Sequence, residues 1–293
     1  MYEQALLAER FEEHRPRMRA VAFRLLGSPS EADDAVQETW LRVGRTDTSA
    51  IADLRAWLTT IVARVALNML RGRREVPAGV HLPEPVLDPA DGMHPEHEAL
   101  LADAVGYALL VVLDTLSPPE RVAFVLHDMF AVPFDEIAPV LERSVEATRQ
   151  LASRSRRRVR AADAVPDVPI AEQRAVIEAF HAAAREGDLQ RLVALLDPDV
   201  VLRADFGPQA PQEPIRGAEA VVGQAQSFSQ LGLTTRHVLV NGAAGMVSFR
   251  DGVPFSLAAV LVRGGRIVAM DFLADPARLA ALDLRFLDED SDG

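Results

Sequence analysis

Six arginines and not one acid stand in the stretch RQLASRSRRRVR, residues 149–160. A guanidinium donates two parallel hydrogen bonds to a guanine edge, or a charge-assisted bond to a phosphate, so the stretch suits nucleic acid. Just upstream, Ser144 is placed to cap a helix. On helical spacing Glu146, Arg149, Gln150, Ser153, Arg154 and Arg157 then share one exposed side, while Val145, Thr148, Ala152 and Val159 fall mostly on the other. Arg reads guanine, Gln adenine and Glu cytosine. The trailing Arg156, Arg157, Arg158 and Arg160 suit phosphates, which set register without specifying sequence. The competing reading is a solvated helix end, where basic residues are favoured by the helix dipole alone. The pattern in front of the arginines decides between the two. "FDEIAPVLERSVEATRQLASRSRRRVR" splits at "ERS" into a short helix, a tight turn and a second helix, a helix-turn-helix.

A second basic stretch, RAWLTTIVARVALNMLRGRR (55–74), also lacks acids. Its apolar residues Leu58, Ile61, Val62, Val65 and Met69 follow a helical period. Arg55 opens it, and Thr60, Arg64, Asn68 and Arg71 form a polar stripe on the opposite face. Between the two basic stretches, residues 75–98 hold six acids, no Arg and several prolines, which reads as an extended acidic linker. The whole chain carries a net charge of -12. Affinity for duplex DNA grows with the phosphates neutralised, at a log-log salt slope of roughly -0.9 per contact. The isolated chain is therefore expected to hold DNA poorly.

The elements that position these residues are mostly helical up to residue 160. "SPSEADDAVQETWLRV" starts with a capping serine and an acid-rich first turn, and "LSPPERVAFVL" has Ser117 as its cap. Pro139 lies inside the first helix of the helix-turn-helix, which should be short or kinked. Glu142 follows Leu141 where such turns usually carry Gly; a positive φ there would cost on the order of 1 kcal/mol. Beyond the linker "AADAVPDVPI" the pattern changes. Two helices lead into "DPDVVLRADF", another helix, and the strand-like runs "TTRHVLV", "GMVSF", "PFSLAAVLV" and "RIVAMDFL", which suggest a separate α+β domain with an antiparallel sheet.

Composition narrows the chemistry. With 293 residues, 49% of them hydrophobic, the chain is long enough for two or three domains. All 31 basic residues are Arg, and there is no Cys, so disulfides, thiolate metal sites and a Cys nucleophile are excluded. No metal site and no cofactor is expected. The N-terminal stretch lacks the apolar core of a signal peptide. The longest apolar run, "AVGYALLVVL", is far shorter than the roughly 20 residues that span a bilayer. A cytoplasmic protein with no membrane role is the expectation.

"EADDAVQETWLR", "RAWLTTIVARVALNMLRGRR", "LSPPERVAFVLHDMFAVPFDEIAPVL" and "SVEATRQLASRSRRRV", in this order around a linker, resemble regions 2 and 4 of a bacterial extracytoplasmic-function (ECF) sigma factor. "HLPEPV" in the linker, and a C-terminal domain similar to the SnoaL-like fold, extend the resemblance to the sigma-J-like subgroup and to nearly the whole chain. The resemblance implies two all-α sigma domains followed by an α+β cone-shaped barrel. It implies that Asp34, Gln37, Glu38 and Trp40 dock on the β′ clamp of core RNA polymerase, with the β flap as a further contact. Arg55, Thr60, Arg64, Asn68 and Arg71 would face the −10 element of promoter DNA, with the loop "GRTDTSAIAD" near the melted strand. The helix from Ser144 would read the −35 element, and the linker would thread toward the polymerase channel.

The subgroup's two C-terminal motifs correspond to "RADFGPQAPQEPIRG" and "DPARL", which makes Asp205, Gly207, Asp275, Pro276 and Leu279 candidates for a regulatory contact with the sigma regions or the linker. The isomerase relatives of this fold use a Tyr and a carboxylate, and neither Tyr2 nor Tyr107 lies in this domain. Asp205, Asp271 and His237 could serve a cyclase as acid or base, though each also has an ordinary structural reading. A small-molecule ligand in a C-terminal pocket is left open. The expected organisation is region 2 over 1–74, the linker over 75–99, region 4 over 100–163 and the SnoaL-like domain over 164–293. The expected function is a non-enzymatic sigma factor modulated in cis. The alternative is a helix-turn-helix regulator fused to a small-molecule-binding or cyclase-like domain.

Overall fold

The computed structural model describes residues 2–46, 51–73, 80–101, 106–162, 164–210 and 212–289. Two compact units form: residues 1–74, 95–105 and 109–163 make one, and residues 75–94, 106–108 and 164–293 the other.

The first unit is helical. Its elements are α1 (Tyr2–Leu26), α2 (Pro29–Val43), α3 (Leu54–Gly72), α4 (Pro95–Leu101), α5 (Tyr107–Asp114), α6 (Pro118–Phe124), α7 (Phe134–Leu141) and α8 (Val145–Ala162); the start of α5 belongs to the second unit, so Tyr107, expected outside the C-terminal domain, falls within it. Ser28 caps α2 by accepting from the Glu31 amide at 3.2 Å, and Asp53 caps α3 by accepting from Ala56 at 2.9 Å. Phe11, Met18, Phe23, Leu58, Val62 and Leu67 are fully buried among α1 to α3. The Glu120 carboxylate accepts from both the amide and the hydroxyl of Ser117, which fixes the start of α6. That helix continues into a π-helical turn, Val125–Met129. Buried arginines brace this unit. Arg24 lies over the Phe130 ring at 4.7 Å, and Arg121 donates to the Leu25 carbonyl at 3.0 Å and to Asp114 at 2.7 Å. A buried charge is tolerated only with such partners.

The helix-turn-helix has the expected strain. α7 is eight residues long with Pro139 inside. Glu142 sits in the left-handed region at φ 56°, ψ 43°, and the turn closes when the Arg143 amide donates to Ala138 at 3.1 Å. Ser144 then accepts from the Ala147 amide at 3.2 Å and starts α8.

The second unit is α+β. It holds α9 (Ile170–Glu186), α10 (Leu189–Leu195), α11 (Ala218–Ser229), α12 (Pro276–Ala280) and α13 (Phe286–Glu289). Its strands are β1 (Leu87–Pro89), β2 (Leu196–Asp205), β3 (Ile215–Arg216), β4 (Thr234–Val240), β5 (Ala243–Arg250), β6 (Val253–Arg263) and β7 (Arg266–Leu273). They form one sheet in the order β1-β4-β5-β6-β7-β2-β3. Asn241-Gly242 and Asp251-Gly252 join β4 to β5 and β5 to β6 with positive φ at both residues, the hairpin geometry that suits the strand twist. Ile177, Phe180, Leu192, Val221, Met246, Val260 and Ile267 form the core between helices and sheet.

Two features depart from the sequence reading. The sheet is not wholly antiparallel, because β2 runs parallel to β7; the connection between them, residues 206–265, carries α11 and the strands β3 to β6, and parallel neighbours need such a long crossover. The linker is also no free tether. Its residues Leu87–Pro89 pair with Val238–Val240 as an edge strand, and Val86 and Asn241 exchange hydrogen bonds at 2.8 and 3.0 Å. Prolines are compatible with an edge, where an amide is not needed on both sides.

Candidate nucleic-acid interface and linker strap

On α8, Glu146, Arg149, Gln150, Ser153, Arg154 and Arg157 are all exposed, while Thr148, Ala152 and Ser155 are buried. Ser144 is exposed at the cap. These residues thus form one continuous polar face, with Arg149 also 3.7 Å from Glu146. Of the trailing arginines, Arg156 pairs with Asp128 at 2.7 Å and Arg158 reaches Glu120 at 3.3 Å and the Thr115 carbonyl at 3.1 Å. Those two fasten α8 to its own unit; Arg154, Arg157 and Arg160 extend along the exposed side.

On α3, Arg55, Arg64, Asn68 and Arg71 are exposed and Thr60 is half-buried, its hydroxyl donating to the Trp57 carbonyl at 2.8 Å. Arg64 is engaged within the unit, donating to the Pro139 carbonyl of α7 at 2.8 Å. Ala56, Trp57, Thr60, Ile61 and Arg64 line one shallow cleft with Glu136, Pro139 and Val140. Thr60 and Arg64 of the polar stripe therefore abut the first helix of the helix-turn-helix. The loop expected near melted DNA lies partly outside the described residues, at positions 47–50.

On α2, Asp34 and Gln37 are exposed, Glu38 is half-buried and pairs with Arg42 at 2.9 Å, and Trp40 packs edge-on against Phe11 with centroids 4.9 Å apart. Trp40 is thus part structural. Leu41, not singled out from sequence, is 50% exposed and falls on the same helical face as Asp34, Gln37 and Glu38. Its only sequence signal is an apolar residue out of phase with the buried stripe.

The five candidates in the C-terminal motifs come together around one buried carboxylate. Asp205, 1% exposed, accepts from the amides of Leu82 and Gly207, each at 2.9 Å, and from Arg278 at 2.5 Å. The second guanidinium nitrogen of Arg278 donates to the carbonyls of Leu82 at 2.7 Å and Pro83 at 3.2 Å. Gly207 has φ +84°, and a Cβ there would stand 2.5 Å from an Asp275 oxygen. Asp275 caps α12 by accepting from Ala277 at 2.9 Å, with Pro276 exposed in the first turn and Leu279 buried beneath. Tyr107 adds a hydrogen bond to the Pro83 carbonyl at 2.8 Å, and Arg174 one to Ala90 at 2.6 Å. Residues 82–90 are strapped to the C-terminal domain along their length. Sequence reading missed Arg278, because nothing in "DPARL" tells a paired arginine from a solvated one.

Of the three residues weighed as acid or base, the two carboxylates are bound by arginines. Asp205 holds the strap. Asp271 is bound by Arg203 at 2.6 Å; burial pushes its carboxyl upward and Arg203 pulls it back. His237 lines a cavity of about 560 Å3 together with His181, Phe206, Phe228 and Phe272, its Nε2 3.4 Å from a Glu178 oxygen. Burial, then His237 and Arg185, hold His181 below the usual imidazole range. No helix among the described residues is long and apolar enough to cross a membrane.

Three family models match the chain. Residues 10–76 match the Sigma-70 region 2 model, residues 107–159 the Sigma-70 region 4 model, and residues 177–271 the SnoaL-like domain model. The chain is 40% identical to the ECF RNA polymerase sigma factor SigJ of Mycobacterium tuberculosis over 94% of both chains. It is 31% identical to the probable ECF RNA polymerase sigma factor SigI of the same species, over 92% of this chain and 93% of that one. The crystal structure of Mycobacterium tuberculosis SigJ superposes with a TM-score of 0.72 at 37% identity, over 93% of this chain and 98% of that one. Two sigma regions on one chain leave the helix-turn-helix regulator without support. The chain belongs to the ECF RNA polymerase sigma factors, with a fused SnoaL-like domain at its C-terminal end.

Proposed function

We propose that this sigma factor is restrained by its own C-terminal domain through the strap on the linker. The observation that carries the reading is the Asp205–Arg278–Leu82 cluster. The resemblance sends the linker toward the polymerase channel, and a segment held at both its amide and its carbonyls is not available to thread there. Release of the strap accompanies engagement of core polymerase.

The remaining roles follow the division into region 2 (1–74), linker (75–99), region 4 (100–163) and regulatory domain (164–293). Asp34, Gln37, Glu38 and Trp40, with Leu41 beside them, meet the β′ clamp, and region 4 meets the β flap. Arg55, Thr60, Arg64, Asn68 and Arg71 read the −10 element. Ser144, Glu146, Arg149, Gln150, Ser153, Arg154 and Arg157 serve the −35 element. The contact between Arg64 and Pro139 supports weak promoter binding by the isolated chain, since the −10 stripe must part from α7 before DNA reaches it. The function places the protein beside polymerase and chromosome, in the cytoplasm. The C-terminal domain is regulatory and not catalytic, supported by the engagement of Asp205 and Asp271 elsewhere, and its cavity takes a small-molecule effector.

Run-off transcription from a genomic promoter library, with core polymerase plus the wild type or Arg278→Met, tests the restraint. Promoter-specific transcripts that rise several-fold in the variant are expected. Equal yields from two folded proteins that bind core equally well would remove the strap from the mechanism.

A further inference from the structure

The π-helical turn Val125–Met129 addresses α8 along two routes. Its Asp128 accepts directly from Arg156 at 2.7 Å. Its His127 stacks on Phe134, the first residue of α7, with ring centroids 3.8 Å and planes 26° apart. The guanidinium carbon of Arg149 in turn lies over that Phe134 ring, 5.9 Å from its centroid. Arg149 and Arg156 are seven residues apart, about two helical turns, and so share one side of α8. A π turn carries a local change of helical pitch and recurs at functional sites.

The stack is fixed from below. The Phe130 amide donates to the Val125 carbonyl at 3.2 Å and the Val132 amide to Leu126 at 2.9 Å, with Ala131 between them at φ 55°. Nδ1 of His127 lies 3.0 Å from the Val132 carbonyl. A carbonyl only accepts, so Nδ1 carries the proton and the imidazole is tied to the loop that leads into Phe134.

Arg149 itself is 58% exposed, with the Glu146 carboxylate 3.7 Å away. A long exposed side chain loses rotamer freedom when it binds, and a surface that sets its position beforehand reduces that loss. A guanidinium within about 6 Å of a ring centroid is attracted to the ring face. Its five donors lie in its own plane, so contact through its face leaves the donor fork free for a base edge.

We propose that Phe134, backed by His127, is a positioning residue for −35 recognition, holding Arg149 by the face of its guanidinium. This rests on the reading of α8 as the −35 helix and of Arg149 as one of its base readers.

Holoenzymes carrying each variant, scored on a promoter library randomised across the −35 element, test the platform. Phe134→Leu should lower the preference for the favoured base by about two- to fivefold, the range an exposed cation–π contact supports, and only at the position that Arg149→Ala relaxes. Phe134→Tyr, which restores a ring face, should restore that preference. In the Arg149→Ala background Phe134→Leu should have no further effect there. His127→Asn, which keeps a donor for the Val132 carbonyl and leaves Phe134 in place, should shift the same position in the same direction. Equal weakening at every position in Phe134→Leu would make Phe134 a packing residue only and overturn the proposal. So would an unchanged profile in Phe134→Leu beside a position-specific loss in Arg149→Ala. A flat profile in Arg149→Ala would instead remove Arg149 as a base reader, and the platform with it.

Discussion

Arg278 reaches the buried carboxylate of Asp205 with one guanidinium nitrogen and the carbonyl of Leu82 with the other, so one side chain clamps both a carboxylate and the linker backbone. Removing one partner of a buried pair strands the other. Asp205→Ala should destabilise the C-terminal domain by about 3 kcal/mol, the low end of such losses because Arg278 is partly exposed. Denaturant melts of the full chain would read this, and Arg278→Met should cost less, because the Leu82 and Gly207 amides still satisfy Asp205.

The strained turn of the helix-turn-helix offers a change in the opposite direction. Glu142 occupies the left-handed region without the glycine that relieves it. Glu142→Gly should stabilise the helical unit by up to ~1 kcal/mol, less whatever the freer unfolded chain takes back. The chemical denaturation midpoint should rise while the ranking of promoters by the holoenzyme stays the same.

Base readers and phosphate contacts separate in a promoter library. Arg149 lies in the first turns of α8, where a recognition helix meets base edges. Arg149→Ala in the holoenzyme should relax the preference at one −35 position, a loss of about 1–3 kcal/mol for the favoured base. Arg157→Ala, farther along the helix, should weaken all promoters alike and lower the salt slope by about one. Identical profiles for the two variants would contradict this assignment.

Acid should loosen the C-terminal domain through His181. Its folded-state pKa is lowered, first by burial and then by His237 and Arg185. Between that value and the ordinary imidazole pKa near 6.5, the unfolded chain binds more protons than the folded one, so stability rises with pH across this window. The full stability is present above about pH 6.5 and is lost as pH falls toward the lowered value. Thermal melts at pH 7.5 and 5.5 should show a drop at the lower pH, and His181→Gln should flatten it.

The helical half of the molecule was legible because its signals are local. Ser28, Ser117 and Ser144 announce helix starts, and the missing glycine at Glu142 already implied a left-handed turn. The strands β4 and β7 begin and end where their apolar patterns do. That the extended linker pairs as an edge strand was not legible for a physical reason: prolines and acids look alike in a free tether and in an edge strand, and the partner of Leu87–Pro89 lies about 150 residues away in sequence, at β4. Arg278 and Leu41 were missed because pairing and exposure depend on neighbours that only the fold supplies. The cavity likewise arises from side chains of α9, α11 and four strands, none of which is distinctive alone.

The pairing of β1 with β4 has a consequence for the ancestry of the fused protein. The C-terminal domain draws an edge of its sheet from sequence that precedes region 4. Region 4 is therefore an insertion within the folding unit of its neighbour. A gene cut at residue 164 would yield a domain with β4 as an open edge, ready to recruit a strand from another copy. Recombination could exchange region 4 between such proteins without breaking the sheet, whereas exchanging the C-terminal domain alone would leave behind the strand that completes it.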